Sequence, residues 1–250
     1  RRRVEQTEVV VIGNGPAGLS LSAFLSGILP FYDSLIGHPD EEVHRRLTRA
    51  DYASLVDQDL TWYEKKMMDI SDRAMGHLYD SLSRPSVDQG LHLPSPLRFH
   101  LDPSRAVPHI VLGATPPGGS WATHDPEMVA VSVGGLLDLP AFPMAAWLDE
   151  PKMAVKRQTA ARVAAYMAEY PARIGIEESL RPGTTVTRVA KRRDGRWLVE
   201  GVDKRGRAFA VVARTVVMAT GLMEPRRLEV EGESGNDRVV YNMQEMKQRL

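Results

Sequence analysis

The sequence predicts an α/β protein with a largely parallel sheet, and three segments carry that prediction. The first runs from Glu8 to Gly27 and predicts a buried strand, a glycine-rich turn and a helix of small residues. The second, at about 183–213, alternates apolar and polar residues around two turns, which is typical of an antiparallel β-meander. The third, TVVMATG at 215–221, predicts another buried strand that ends in small residues.

Glycines in the first segment are spaced as in a dinucleotide-binding turn. Val9–Ile12 is a continuous β-branched run, which favours a strand buried on both faces. Gly13 permits the tight turn, Gly15 lets phosphate oxygens approach the backbone, and Gly18 lets the helix pack closely on the strand. The N–H groups and the dipole of the helix attract negative charge. We therefore predict that this turn binds a pyrophosphate.

The helix after the turn carries signals for both of its ends. Pro16 suits the first helical position, where an N–H group has no intrahelical partner. Gly27 and Pro30 are predicted to end the helix. A polar insertion follows at about 33–105. Its apolar residues recur every three or four positions, which predicts one buried helix face. The members of that face are Leu60, Tyr63, Met67, Ile70, Ala74 and Leu78.

Two further elements are predicted between the insertion and the meander. Val107–Gly113 is a short apolar run bounded by proline and glycine, and we interpret it as the second parallel strand, delayed by the insertion. Lys152–Tyr170 has an apolar stripe at helical spacing and is predicted to be a helix that Pro171 stops.

The composition predicts a soluble globular chain and excludes several classes of function. Thirty-two Lys and Arg balance 32 Asp and Glu, so the charge gives no reason to expect a nucleic-acid partner. The 250 residues contain no cysteine, which excludes disulfides and a thiol nucleophile and suits a cytoplasmic location. Apolar windows at 9–32 and 128–148 are broken by glycine and proline, so we expect no transmembrane segment. The chain opens with Arg1, and we expect it to be an internal fragment.

No catalytic residue and no metal ligand is predicted. Ser20, Ser22 and Ser26 lack the G-x-S-x-G elbow of a hydrolase nucleophile. The seven histidines never fall at the spacing of a metal site. They stand at positions 38, 44, 77, 92, 100, 109 and 124.

A double glycine followed by tryptophan gives the loop after the second strand a specific role. Gly118 and Gly119 allow the backbone to lie against a flat ring system, and Trp121 offers an aromatic face beside it. Ala219 and Gly221 are small where a strand end would meet a pyrophosphate, which leaves room for a cofactor. The alternatives are a core tryptophan and an ordinary strand exit.

The order of glycine turn, second strand, GGSW loop, helix, meander and ATG turn resembles the flavoproteins with two dinucleotide-binding domains, specifically the flavin-containing monooxygenases. The segments VDQDL, 56–60, and PPGG, 116–119, resemble the oxidative stress-induced growth inhibitor family. This resemblance covers most of the chain. It implies a Rossmann-like FAD-binding domain at 1–250, with the helical insertion and the meander crossover inside it. An NADPH-binding domain is expected on the C-terminal side, outside these residues.

The resemblance also implies an FAD-dependent, NADPH-using monooxygenase that restrains growth and acts in cell death, with an unknown substrate. The alternative is a flavin-binding regulatory protein that catalyses nothing and acts through protein partners. Val186 would meet the adenine through its backbone. The cofactor-binding residues implied are Gly13, Gly15, Pro16, Ala17, Gly18, Gly118, Gly119, Trp121, Val186, Ala219, Thr220 and Gly221.

The acidic residue that holds the ribose in many dinucleotide folds is missing from its expected place. It ends the second strand in such folds, and here that place falls on Leu112 or Gly113. Asp33 lies about twenty residues after the turn, but it precedes the insertion, so we interpret it as a loop residue. The sequence therefore does not predict how the ribose of FAD is held.

Overall fold

A six-stranded sheet is the main feature of the computed structural model, which describes residues 4–49, 53–91, 93–221, 227–236 and 238–249. The strand order is β7-β4-β1-β10-β9-β8; β1 is parallel to both β4 and β10, whereas β10, β9 and β8 are antiparallel. The strands in the described ranges are β1 Glu5–Ile12, β2 Ile28–Tyr32, β3 Leu97–Leu101, β4 His109–Gly113, β5 Val129–Val133, β6 Arg157–Thr159, β7 Leu180–Pro182, β8 Thr184–Lys191, β9 Trp197–Asp203 and β10 Ala208–Met218.

Helices connect these strands, and none in the described ranges is long and apolar enough to cross a membrane. The α-helices in the same ranges are α1 Pro16–Leu25, α2 Glu41–Thr48, α3 Thr61–Met67, α4 Ala74–Ser83, α5 Met144–Trp147, α6 Ala160–Ile174 and α7 Met243–Arg249. The 3-10 turns are Leu55–Asp57, Val87–Gln89, Pro103–Arg105, Gly119–Ala122, Gly134–Leu137, Pro151–Val155 and Glu177–Ser179.

Two hydrophobic cores cover the two faces of the central strands. Val11 packs on one face with residues of α1 and α6, including Tyr166, whereas Val10 packs on the other with residues of β9 and β10, including Val199. Both valines are fully buried, so β1 is a strand buried on both faces, as predicted. Burying each such side chain stabilises the fold by about 1.5–3 kcal/mol.

The insertion is less helical than predicted. Its ends are drawn together because β2 pairs antiparallel with β3. Between these strands, α2, α3 and α4 enclose a small core that contains Tyr63, Met67 and Leu78 of the predicted face. Ile70, predicted on the same face, is 75% exposed, because the chain turns between α3 and α4 at this point instead of continuing one helix.

The ends of α1 and α6 differ from the prediction. Helix α1 ends at Leu25, before Gly27, whose φ is +85°. Pro30 does not end it, because this proline lies inside β2. Helix α6 begins at Ala160, since the preceding residues form β6 and pair with β5. Pro171 lies inside the helix, whose last residue is Ile174, so this proline costs one hydrogen bond near the C-terminal end without stopping the helix.

The third strand of the meander and the apolar strand after it are one strand, β10. It pairs with β9 alone at 208–210 and with both β9 and β1 at 211–213, where the last pair with β9 joins Ala213 and Trp197. Its second half pairs with β1 alone, from Thr215 to Met218. We predicted that this half would be buried, and this prediction was wrong. Met218 is 64% exposed, because no strand in the described residues pairs with the other edge of this half of β10.

Candidate functional site

A cleft of about 750 Å³ opens where the C-terminal ends of β1, β4 and β10 meet the start of α1. Ligands of parallel α/β sheets bind at such an edge. Gly18 is buried and does not line the cleft, and Gly118 is the residue before Gly119, which does line it. Trp121 lines a neighbouring cavity. The other nine residues assigned to the cofactor from the sequence line the cleft: Gly13, Gly15, Pro16, Ala17, Gly119, Val186, Ala219, Thr220 and Gly221.

Two glycines of the turn are required by close backbone contacts. Gly13 has φ +117°, and a Cβ there would lie 2.1 Å from the carbonyl oxygen of Ala219, at the end of β10. A Cβ at Gly18 would lie 2.0 Å from the carbonyl oxygen of Gly13. Gly15 is different, because its Cβ would meet only the Cα of Gly119 at 3.7 Å and more distant atoms. The fold therefore needs Gly13 and Gly18, whereas the backbone around Gly15 leaves room for a Cβ.

The first turn of α1 offers free hydrogen-bond donors beside the cleft. Gly15 is the N-cap residue and supplies no side-chain cap, and Pro16 has no N–H group. The first intrahelical bond runs from the N–H of Leu19 to the carbonyl of Gly15 at 2.9 Å. The N–H groups of Ala17 and Gly18 therefore have no intrahelical acceptor. Together with the helix dipole they favour an anion at this end of the helix.

The double-glycine loop packs directly on the glycine turn. The N–H of Gly118 donates to the carbonyl of Asn14 at 2.9 Å. Gly118 and Gly119 have φ +115° and +60°, and a Cβ at Gly119 would lie 2.8 Å from the Cα of Gly15. The contact between the two loops therefore requires Gly119, whereas Gly118 is favoured by its positive φ, and a Cβ there would lie 3.2 Å from the Cβ of Met167. Contact of this loop with a flat ring stays a prediction.

Asn14 explains why no acidic side chain ends β4. It is 3% exposed, its Nδ2 donates to the carbonyl of Thr115 at 2.7 Å, and its Oδ1 accepts from the Thr115 hydroxyl at 3.2 Å. A Cβ at Gly113 would lie 2.0 Å from the Cγ of Asn14, so the amide fills the place of a side chain there. Asp33, interpreted as a loop residue, follows β2 and pairs with Arg98 at 3.1 Å, away from the cleft. Sequence reasoning missed Asn14, because its partner is 101 residues away.

The cleft is lined by hydroxyl and apolar groups. In the described part of the chain no charged side chain lines it. Its hydroxyl-bearing residues are Thr115, Ser120, Thr123, Thr184, Thr185 and Thr220. Such a wall can exchange hydrogen bonds with sugar hydroxyls and leaves the attraction for negative charge to the helix N-terminus.

A second cavity, of about 340 Å³, lies on the other side of the start of α1. Pro16 and Ala17 line both spaces, and Trp121 lines this one. Asp138 also lines it, and burial raises the pKa of this carboxyl to about 7. Sequence reasoning did not single out this carboxyl as functional, because an isolated aspartate in an apolar segment becomes unusual only once its burial is known.

Ser22 and His109 form a buried pair that ties α1 to β4. The Ser22 hydroxyl lies 2.8 Å from Nε2 of His109, and Nδ1 lies 2.8 Å from the carbonyl of Val107. A carbonyl can only accept, so Nδ1 carries the proton and Nε2 accepts from Ser22. Burial lowers the pKa of His109, which favours this neutral form. Ser22 is fully buried, so no substrate reaches it and the pair is structural.

The remaining histidines supply no metal site within the ranges that the structure describes. No group of three or more His, Cys, Asp or Glu side chains comes together there. His92 lies outside those ranges. His44 bonds to the hydroxyl of Tyr32 and His77 to that of Tyr63, both at 2.8 Å, so these rings have structural partners in the insertion.

Known proteins match the chain at the level of sequence. No protein-family model matches it. It is 37% identical over 247 residues to the oxidative stress induced growth inhibitor homolog osgn-1 of Caenorhabditis elegans, with 98% of this chain and 54% of the relative covered. Human oxidative stress-induced growth inhibitors 1 and 2 are 32% and 31% identical, over 92% and 90% of this chain and 52% and 51% of their own lengths. The chain spans about half the length of these relatives.

Solved structures share the fold at low sequence identity. The bacillithiol disulfide reductase Bdr (YpdA) from Staphylococcus aureus aligns with a TM-score of 0.52 and 12% identity, over 94% of this chain and 44% of its own. The enzyme of the same name from Bacillus cereus gives 0.50 and 13%, over 93% and 45%. This likeness shows the fold alone, and it confirms the predicted Rossmann-like α/β class. By the sequence matches over nearly its whole length, the chain belongs to the oxidative stress-induced growth inhibitor family.

Proposed function

We propose that this chain is the FAD-binding part of a flavin-dependent monooxygenase that uses NADPH and acts in growth and cell-death control in the cytoplasm. The observation that carries the proposal is the cleft at the start of α1, where free N–H donors face a neutral, hydroxyl-lined space. The NADPH-binding domain is proposed to lie in the half of the relatives' length that this chain does not span. The order of motifs supports monooxygenase chemistry.

The residues of the cleft fit FAD in four respects. Ala17 and Gly18 present N–H groups without intrahelical acceptors, which suits a pyrophosphate. Gly15 has room at its Cβ position, so a ligand can approach the backbone there. The volume of about 750 Å³ lies in the range of cofactor pockets. Val186 lines the far wall on β8, where its backbone can meet the adenine.

The protein would bind and orient the cofactor, and bound FAD would supply the redox chemistry, namely hydride uptake from NADPH and activation of dioxygen. Backbone donors of α1 would hold the pyrophosphate, and threonine hydroxyls such as Thr115 and Thr185 would hold the ribose in place of a carboxylate. Trp121, packed against the main core, would close the space between the cleft and the second cavity and keep water out. No side chain is proposed as a catalytic acid or base.

FAD binding can be tested by titration with two matched glycine variants. Gly15→Leu places a side chain in the cleft, and we expect at least a tenfold loss of FAD affinity with little change in melting temperature, because φ is −74° and the nearest atom is 3.7 Å away. Gly76→Leu on α4 is the control, because it makes the same change away from the cleft. A Cβ at Gly76 would meet only the Cβ of Arg73, at 3.9 Å. Equal FAD affinity in both variants would contradict the proposed site.

A flavin-binding regulatory protein without catalysis is the second candidate. The absence of a ribose carboxylate favours it. The long insertion also favours it, because the insertion carries exposed apolar residues, such as Leu35 and Val56. The full-length protein separates the two. Consumption of NADPH under air by the yellow protein supports the enzyme, whereas a yellow protein that leaves NADPH unchanged supports the regulator. This chain alone contains no second glycine-rich turn after Gly221 and should not oxidise NADPH at the full-length rate.

A further inference from the structure

The second cavity is built from parts of the chain that are far apart in sequence. Helix α1 contributes Ser20 and Phe24, the insertion contributes Tyr79, and α6 contributes Met167. The segment 136–140 closes the remaining side. Most of these side chains are apolar, and the volume of about 340 Å³ is that of a small-molecule site.

One carboxyl group stands in this apolar lining. Oδ1 of Asp138 accepts the N–H of Met144 at 2.7 Å, which fixes the side chain. Burial raises the pKa of Asp138 to about 7, although the nearby charge of Arg84 opposes this. The other titratable groups that face it are Tyr79 on α4 and Tyr166 on α6, and burial raises the pKa of both phenols, so they stay neutral. Near neutral pH a large fraction of Asp138 is therefore protonated and can donate a hydrogen bond.

Arg84 positions the segment that carries Asp138 and does not pair with its carboxylate. Its Nη1 donates to the carbonyl of Gly135 at 2.9 Å and to that of Asp138 at 3.4 Å. Its Nη2 pairs with Asp80 on the same helix. Nη1 and Nη2 of the guanidinium are thus occupied by backbone acceptors and by Asp80, whose carboxylate compensates the positive charge. Its buried Nε has no hydrogen-bond partner among the described residues and is a further donor at the cavity.

We propose that this cavity binds a small, uncharged, largely apolar molecule with at least one hydrogen-bond acceptor, to which the Asp138 carboxyl group donates. Tyr79 also lines the cavity, and its hydroxyl is a second donor. Two ligands share this chemistry: a carbonyl-bearing substrate and the flavin ring of a cofactor whose pyrophosphate lies in the adjoining cleft. Only the flavin case rests on the proposed function, because the cavity is shaped by the chain whether or not FAD binds.

Two probes distinguish a carbonyl-bearing substrate from the flavin ring as the ligand of the cavity. Acetophenone and lumiflavin, which lacks the pyrophosphate and adenosine, are titrated separately into the chain by calorimetry, and FAD is titrated in parallel. We expect one probe to bind at neutral pH, with affinity at least tenfold lower in Ser20→Phe, which fills the cavity, and in Asp138→Leu, which removes the donor. Asp138→Asn keeps a donor of the same size and should retain binding. Asp102→Leu, at an exposed 3-10 turn, is the control and should also retain it.

The outcomes separate the cavity from the cleft. The expected pattern with acetophenone supports a substrate site, and the same pattern with lumiflavin supports the flavin ring. If FAD fails to bind while acetophenone shows the pattern, the proposed function fails and this inference stands. Failure of folded protein to bind either probe, or unchanged affinity in Ser20→Phe, overturns it. Asp138→Leu removes the acceptor of the Met144 N–H group. If this variant does not fold, Ser20→Phe and Tyr79→Phe are measured instead.

Discussion

Replacing Asp138 by Asn should change how the stability of the protein depends on pH. The amide keeps the shape of the carboxyl and keeps an oxygen for the N–H of Met144, which lies 2.7 Å from Oδ1. The amide does not take up or release a proton between pH 4 and 8. Any pH-dependent difference between the variant and the wild type therefore reports the burial of this one group.

The size of the effect follows from the pKa. Burial raises the pKa of Asp138 from 3.8 to about 7. The folded state thus binds the proton more tightly than the unfolded state, so the free energy of unfolding falls as pH rises between these two values. Each pKa unit corresponds to about 1.4 kcal/mol, which gives about 4 kcal/mol as an upper limit. We expect Asp138→Asn to gain up to this amount over the wild type as pH rises from 4 to 8, with a plateau above the folded pKa.

Urea denaturation between pH 4 and 8 measures this difference. Asp203→Asn is a control of opposite sign, because hydrogen bonds from Arg207 lower the pKa of Asp203. That variant should be less stable than the wild type by a nearly constant amount over this range, because the deficit shrinks only as pH falls below the ordinary carboxyl pKa of 3.8. A stability difference for Asp138→Asn that stays constant over this range would refute the buried, proton-binding carboxyl.

Three further substitutions test the packing around the site. Gly18→Ala should lower the stability by about 1–3 kcal/mol in thermal melts, because its Cβ would lie 2.0 Å from the carbonyl oxygen of Gly13; an unchanged melting temperature would contradict this contact. Tyr166→Phe should cost about 1–3 kcal/mol in urea titrations, because the hydroxyl donates to Phe142 at 2.6 Å and accepts from Leu139 at 2.8 Å; a neutral result would count against both bonds. Ser22→Ala should destabilise by a similar amount, because Nε2 of His109 loses its donor, and the NMR shifts of that ring should move.

Local signals in the sequence predicted much of the fold. The turn at Gly13–Gly18 was predictable because its glycines, the buried strand before it and Pro16 after it all lie within one short segment. The meander was predictable because alternation and turn residues are also local. The prediction was wrong for the start of α6 and for Pro171, because pairing of β6 with β5 and packing of α6 against the core override local helix signals.

Contacts between distant residues could not be predicted in this way. Asn14 displaces a side chain from Gly113 and bonds to Thr115, which requires the ends of β1 and β4 to be adjacent. The cavity around Asp138 needs α4 of the insertion to reach α1 and α6. Gly118 and Gly119, which the sequence assigns to the cofactor, also contact the glycine turn, and the sequence did not indicate this contact.

The visible absorption spectrum of the chain, after incubation with FAD and removal of free flavin, tests the central claim most directly. Folded wild-type chain should retain a flavin band, and Gly15→Leu, folded to the same extent by circular dichroism, should lose it. A folded wild-type chain that emerges colourless would contradict the assignment of the cleft to FAD.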